Sequence, residues 1–165
     1  MFETRRFILK KLKLSNANSN YLNWFSDELT NKFILSHPTS ISDLIAFIKK
    51  CNGDDSILLL GIFTKAPHCH IGNIKFEFEN NVKTKATMGI IIGDSTWRGK
   101  GAASEVIHEC GLFLKNKYDT ETMILGVDKL NYSAIKSYRK IGFEEETNSN
   151  FNPMGLLMSW KLPKV

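Results

Sequence analysis

The chain has 165 residues, 42% of them hydrophobic, and 22 basic against 17 acidic side chains leave a net charge of +5. That size supports a core without a disulfide or metal staple, and three cysteines (Cys51, Cys69, Cys110), none in a CxxC, predict free thiols in a reducing, cytoplasmic compartment. Apolar runs far too short to cross a bilayer exclude a transmembrane function, and +5 with no block of five like charges is too diffuse to argue for nucleic acid alone; a phosphorylated small molecule fits the anionic partner equally well, and neither a nucleic-acid nor a membrane partner is expected.

Near the N-terminus Lys10, Lys11 and Lys13 interrupt the apolar residues before a signal-peptide core can form. A first strand is predicted over Arg6 to Leu12, then a helix over Asn20 to Leu29 on the spacing of Tyr21, Leu22, Phe25 and Leu29. After the loop Ser36-His37-Pro38 comes a clearer helix. Ser40 to Asp43 reads as a capping box, Ile41, Leu44, Ile45 and Ile48 share a face, Lys49 and Lys50 fill the last turn, and Gly53 ends it.

Ile57 to Thr64, Ile71 to Glu79 and Lys85 to Gly93 follow as strands of an antiparallel meander. The middle one sets Ile74, Phe76 and Phe78 against a wet face of Lys75, Glu77 and Glu79. The third, ending Met-Gly-Ile-Ile-Ile, reads as buried on both faces. The longest helix spans Gly99 to Lys117 and presents Ala103, Val106, Ile107, Cys110, Phe113 and Leu114 on one side. Thr122 to Val127 is a strand, Asn131 to Ile141 a helix capped by Asn131 and closed by Gly142, and strands near Phe143 to Thr147 and Gly155 to Leu162 complete the chain. The order βααβββαβαββ predicts one α/β (α+β) domain over residues 1–165, a mixed, mostly antiparallel sheet flanked by helices.

Two segments carry chemistry. Arg98-Gly99-Lys100-Gly101-Ala102-Ala103 joins a buried strand to the longest helix; its glycines let several N–H groups converge at a helix N-terminus, an anion site that suits phosphate. It lacks the GxxxxGK[ST] and GxGxxG patterns, so NTP hydrolysis and dinucleotide redox fit poorly. In the second, Asn131 to Phe143, Tyr138 is the one polar-tipped member of a face shared with Ala134, Ile135 and Ile141.

Taken jointly, Arg-x-x-Gly-x-Ala after a strand, then Asn-x-x-Ala with a tyrosine seven residues after the Asn and a closing Gly-Phe, resemble the GNAT superfamily of acyl-CoA N-acetyltransferases. Tyr21 to Glu28, His70 to Ile74 and Gly89 to Asp94 are similar to the branch of Rim-type ribosomal-protein and amino-sugar N-acetyltransferases. The resemblance implies acetyl-CoA as co-substrate. Its pyrophosphate would rest on Arg98, Gly99, Lys100, Gly101, Ala102 and Ala103, and its arm along Ile91, Ile92 and Gly93 where that strand splays from Met123 to Val127. Asn131 would contact the arm, and Tyr138 would protonate the departing thiolate.

The acceptor implied is an amine, either a protein N-terminal α-amine or the amine of a nucleotide-linked amino sugar. Many members of this branch carry a Glu where this chain has Thr87. Glu77, Glu79 and His37 are the remaining candidates for taking the amine proton. A non-catalytic acyl-CoA-binding module is the rival reading; Thr87 favours it and Tyr138 opposes it. No metal is expected, since His68-Cys69-His70 alternates across an extended chain with no second ligand cluster. The sequence leaves monomer and homodimer both open.

Overall fold

The computed structural model describes residues 1–28, 37–79, 81–147 and 153–163. Eight strands, β1 Phe2–Glu3, β2 Phe7–Lys11, β3 Ile57–Thr64, β4 His70–Phe78, β5 Lys85–Ile92, β6 Thr122–Asp128, β7 Glu144–Glu145 and β8 Gly155–Lys161, form one sheet in the order β1-β2-β3-β4-β5-β6-β8-β7. The described helices are α1 Ser19–Asn23, α2 Ile41–Asn52, α3 Ala102–Tyr118 and α4 Tyr132–Ile141. This is the predicted order with one short strand added at the front.

Side-chain alternation divides the core between the two faces of the sheet. Ile74, Phe76, Phe78, Ala86 and Met88 pack with Val106, Ile107, Cys110 and Leu114 of α3 and Ile135 of α4. Leu59 and Phe63 on the opposite face pack with Tyr21 and Trp24 and with Leu44 and Ile48 of α2. Ser40 and Asp43 form the predicted capping box of α2, and Gly53 terminates it.

All neighbouring strands are antiparallel except β5 and β6, and that pair holds together only from Lys85↔Thr122 to Thr87↔Ile124. Beyond Thr87, β5 pairs only outward with β4, up to Ile92↔Gly72, while β6 pairs outward with β8 to Asp128. The sheet therefore opens into a wedge between β5 and β6. Ile90 and Ile92 reach toward the α3 side, whereas Ile91 belongs to the α2 side.

Several expectations are corrected. Thr87 and Gly89 are exposed and Ile90, Ile91 and Ile92 only half-buried, so β5 is not buried on both faces; its apolar end borders the wedge and a cavity. The helix placed at Asn20 to Leu29 is instead the five-residue α1, capped by Asn18, and a 3-10 turn over Trp24–Ser26, after which Asp27 is extended. Leu29 and Ser36 lie outside the described residues. Trp24 ends the helix by packing on Gly93, where a Cβ would lie 1.9 Å from the indole. The longest helix begins at Ala102 because Gly99 and Gly101 both hold a left-handed φ of 70°. The strand over Phe143 to Thr147 shrinks to Glu144–Glu145, and Phe143 is core.

Glu105, in the first turn of α3, ties the N-terminal segment to this frame. It accepts from the Thr4 hydroxyl (2.6 Å), from the Arg6 N–H (2.8 Å) and from Arg6 Nε (2.6 Å). Burial opposes its ionisation, but the hydrogen bonds from Thr4 and Arg6, with the Arg6 charge, prevail and hold the carboxyl below its usual range. Glu105→Gln is expected to lower stability by about 1.5–3 kcal/mol at neutral pH, the scale of hydrogen bonds to a charged group. A carboxyl depressed in the folded state contributes fully above the ordinary Glu range and loses that contribution as pH falls through its folded value. Denaturant midpoints of the two proteins should thus converge in acid; a constant gap from pH 7 to 3 would contradict this origin.

Candidate active site

The Gly-rich turn follows β5 and opens α3. Arg98 donates its N–H to Ser95 O (3.2 Å) to close a 3-10 turn, and the N–H groups of Gly99, Lys100, Gly101, Ala102 and Ala103 that follow meet no acceptor among the described residues. Gly101 is the N-cap residue of a 17-residue helix, whose dipole adds partial positive charge at the same point. The Arg98 guanidinium pairs with Asp27 at 2.8 Å. The Lys100 ammonium lies 5.9 Å from the Trp97 ring.

Arg6, which sequence reasoning missed, donates to Lys100 O (2.9 Å) and braces the turn from the N-terminal segment. Its partner Glu105 is 99 residues away, a separation that leaves no local signal.

Asn131 and Tyr138 sit on α4 as expected. Asn131 Oδ1 caps the helix by accepting from Ala134 N–H (3.2 Å), and Gly142 closes it with a φ of 120°. Tyr138 packs against the same core layer as Ile90 and Ile92, its ring 5.8 Å from Phe143. Its hydroxyl has no hydrogen-bond partner among the described residues, and burial pushes its pKa up.

On the opposite face of the sheet a cavity of about 530 Å³ lies between β5 and the segments around α1 and α2. Gly89, Ile90 and Ile91 form the β5 wall, so the cavity borders the wedge. Tyr21, Phe25, Phe47 and Leu59 supply apolar lining, and Asn73, Lys75, His37 and Asp43 supply polar groups. His37 stacks on Phe25 with centroids 5.9 Å apart. The Asp43 carboxylate is committed to the α2 cap, accepting from Thr39 and Ser40, and these bonds hold its pKa low. Glu77 pairs with Lys75 (2.8 Å) and Glu79 with Lys85 (2.8 Å); neither lines the cavity. Of the three candidates for taking the amine proton, the fold brings only His37 to this cavity.

Asn73 and Tyr21 lie within sequence stretches singled out above, yet no role was read for them. Asn73 is 4% exposed, and its Oδ1 accepts from His70 Nε2 at 2.8 Å. The His70 ring is enclosed by Phe63 (4.7 Å), Trp24 (4.8 Å) and Tyr21 (5.4 Å). Burial lowers the His70 pKa against the hydrogen bonds with Asn73 and Gly72, which favours the neutral ring. Burial, and then Cys51 nearby, drive the Tyr21 phenol above its ordinary range, while the Asn73 amide works the other way.

His70 is thus engaged elsewhere than with Cys69, which is exposed. Among the described residues no three His, Cys, Asp or Glu side chains gather as a metal-binding set, and no helix is long and apolar enough to cross a membrane.

A family model described as an acetyltransferase (GNAT) domain matches residues 6–144. A search of curated proteins finds no significant match. Solved structures match over nearly the whole chain. A GNAT-family acetyltransferase from Bacillus anthracis is 16% identical with a TM-score of 0.82, covering 96% of both chains. A chimera of the spermidine N-acetyltransferase SpeG from Vibrio cholerae and hSSAT is 19% identical with a TM-score of 0.78 over 94% of this chain and 95% of that one. The ribosomal-protein-S5-alanine acetyltransferase from Vibrio fischeri is 14% identical with a TM-score of 0.76 over 98% and 96%. At these identities the likeness is one of fold.

Proposed function

Because the chain belongs to the GNAT acetyltransferase family, we propose that residues 1–165 form one catalytic domain that moves acetyl from acetyl-CoA directly to a primary amine held in the cavity beside β5. The observation that carries this reading is the wedge between β5 and β6: it joins the turn whose amides have no partner among the described residues, on one face of the sheet, to a largely apolar cavity on the other. Acetyl-CoA supplies the activated acetyl group. The amides of Gly99 to Ala103 hold its pyrophosphate, and its arm runs along Ile91, Ile92 and Gly93 where β5 is unpaired toward β6, Gly93 donating its own N–H to Ile71 O on the other side (2.9 Å). Asn131 contacts the arm from the start of α4. Tyr138, kept protonated by burial, gives its proton to the leaving sulfur.

The cavity favours an amine that is partly neutral near pH 7 to 8. Its one described carboxylate, Asp43, is locked in a helix cap, and Lys75 brings positive charge, so a strongly basic amine finds little help in losing its proton. His37 is the group placed to take that proton, directly or through water. An N-terminal α-amine, near 7.7–8.0, needs far less assistance than a lysine-like amine near 10.4. We therefore read the acceptor as a protein N-terminal α-amine. Lys75 in the wall and the chain's positive charge favour a nucleotide-linked amino sugar as the second reading.

Release of free thiol from acetyl-CoA, followed with a panel of acceptors, tests this. Peptides with a free N-terminus should be turned over severalfold faster than N-blocked peptides carrying only lysine, and faster than spermidine, with kcat/KM rising through the ionisation of the α-amine. Best turnover of spermidine would overturn the acceptor reading. No thiol release with any amine would favour the non-catalytic module.

A further inference from the structure

We infer that Asn73 determines acceptor specificity: its side-chain amide donates a hydrogen bond to an oxygen carried on the carbon next to the amine-bearing carbon. The inference rests on the acceptor occupying the cavity beside β5, as proposed above.

Asn73 is the polar residue of the cavity wall closest in register to the reacting edge. Its Cα pairs with that of Ile91, so its side chain stands on the same face of the sheet as Ile91 and Gly89. The His70 bond fixes which way the amide faces. With Nε2–H donating to Oδ1 at 2.8 Å, Nδ2 is turned the other way, and the Phe63 and Trp24 rings on either side of the imidazole hold it in place.

Nδ2 is buried and meets no acceptor at hydrogen-bond geometry, the one such side-chain atom among the described residues, although it faces the Tyr21 phenol closely enough to favour the ionised oxygen. A buried donor left unmatched is costly, and in a cavity wall it is the mark of a group whose partner arrives with a ligand. Nδ2 is sealed from solvent, so an oxygen reaching it must displace part of the wall. The Tyr21 side chain, against the Asn73 amide and carried on the short helix α1, is the part that would shift.

The chemistry of the acceptor converges on the same oxygen. In a peptide N-terminus the carbon next to the amine carbon bears a carbonyl; in a 2-amino sugar it bears a hydroxyl. Both place an acceptor oxygen at the same remove from nitrogen. Both also withdraw electrons from that nitrogen, giving the weakly basic amine suited to a cavity with no uncommitted carboxylate among the described residues. A polyamine has only methylenes there and would leave Nδ2 unmatched.

The test compares kcat/KM for matched acceptor pairs: a peptide amide against its analogue with the first carbonyl reduced to methylene, and a nucleotide-linked 2-amino sugar against its analogue lacking the adjacent hydroxyl. The wild type should prefer the oxygen-bearing member of one pair about fivefold, the scale of one neutral hydrogen bond, and the pair showing the preference identifies the source of the oxygen. Asn73→Leu should bring that ratio near one by losing on the oxygen-bearing acceptor alone. Asn73→Asp, which keeps an oxygen for His70 but offers no N–H, should do the same and guards against misfolding of the leucine variant. Equal losses on both members of each pair would make Asn73 structural and overturn the proposal, as would a wild type that turns over both members equally. A wild type that acetylates none of the four acceptors would overturn the acceptor reading itself and this proposal with it.

Discussion

Tyr138→Phe is expected to lower kcat by about 10², the usual scale for losing a general acid, while fold and CoA affinity stay nearly intact. Tyr138 is half-buried: its ring packs with Phe143 and the α3-side core, while its hydroxyl has no partner among the described residues and is left open to a bound molecule. Phenylalanine fills the same space, so little packing is lost.

The direction of its pKa suits the role. Burial raises it from the ordinary phenol value, so the group remains protonated throughout the pH range in which a thiol near 8.5 would otherwise leave as thiolate. The loss should shrink with an acyl donor whose thiol is more acidic, since a better leaving group needs less protonation. Wild-type kcat in Tyr138→Phe from pH 6 to 9, with the acceptor saturating, would make the hydroxyl structural and assign thiolate protonation to water.

Gly101→Val should weaken CoA binding at least tenfold. The reason lies in the backbone more than in the space around it. A Cβ at Gly101 would meet only Arg6 Nη2, at 3.9 Å, but the residue holds a φ of 70°, which a β-branched side chain adopts at a cost of about 1–3 kcal/mol. Valine would relax that strain by rotating the turn, and the amides of Gly99 to Ala103 would cease to converge. A strain of that size leaves the rest of the fold standing, which a thermal melt should verify beside the calorimetric titration with CoA. Unchanged affinity would place the cofactor elsewhere.

Much of this architecture was legible in local pattern. The capping box at Ser40, the cap at Asn131 and the apolar stripe of α3 were each read from a handful of neighbouring residues, and each is present. The errors lie where tertiary contact overrides spacing. Tyr21, Leu22 and Phe25 have helical spacing, yet the segment leaves the α-helix at Trp24 because the indole seats on Gly93. The Met-Gly-Ile-Ile-Ile run looked doubly buried because lining a cavity and burying a core call for the same residues. Asn73 lies on the alternating face that Lys75 and Glu77 mark as wet, and only its contacts with His70 and the α1 segment reveal it as buried. The brace between Arg6 and Glu105 joins distant segments and left no trace in either one.

The way the sheet ends also bears on how the protein behaves at high concentration. Both outermost strands, β1 and β7, are only two residues long, so neither offers a second molecule a row of backbone groups on which to build. Short edges of this kind are a known protection against sheet-to-sheet polymerisation. The longer row that β5 leaves unmatched beyond Thr87 is recessed between its own neighbours, where a whole strand backed by its sheet cannot dock but a slender, flexible chain can. Among the described residues the fold thus presents its unmatched β5 backbone to narrow guests, while its two outermost strands are too short to offer a row of the same length.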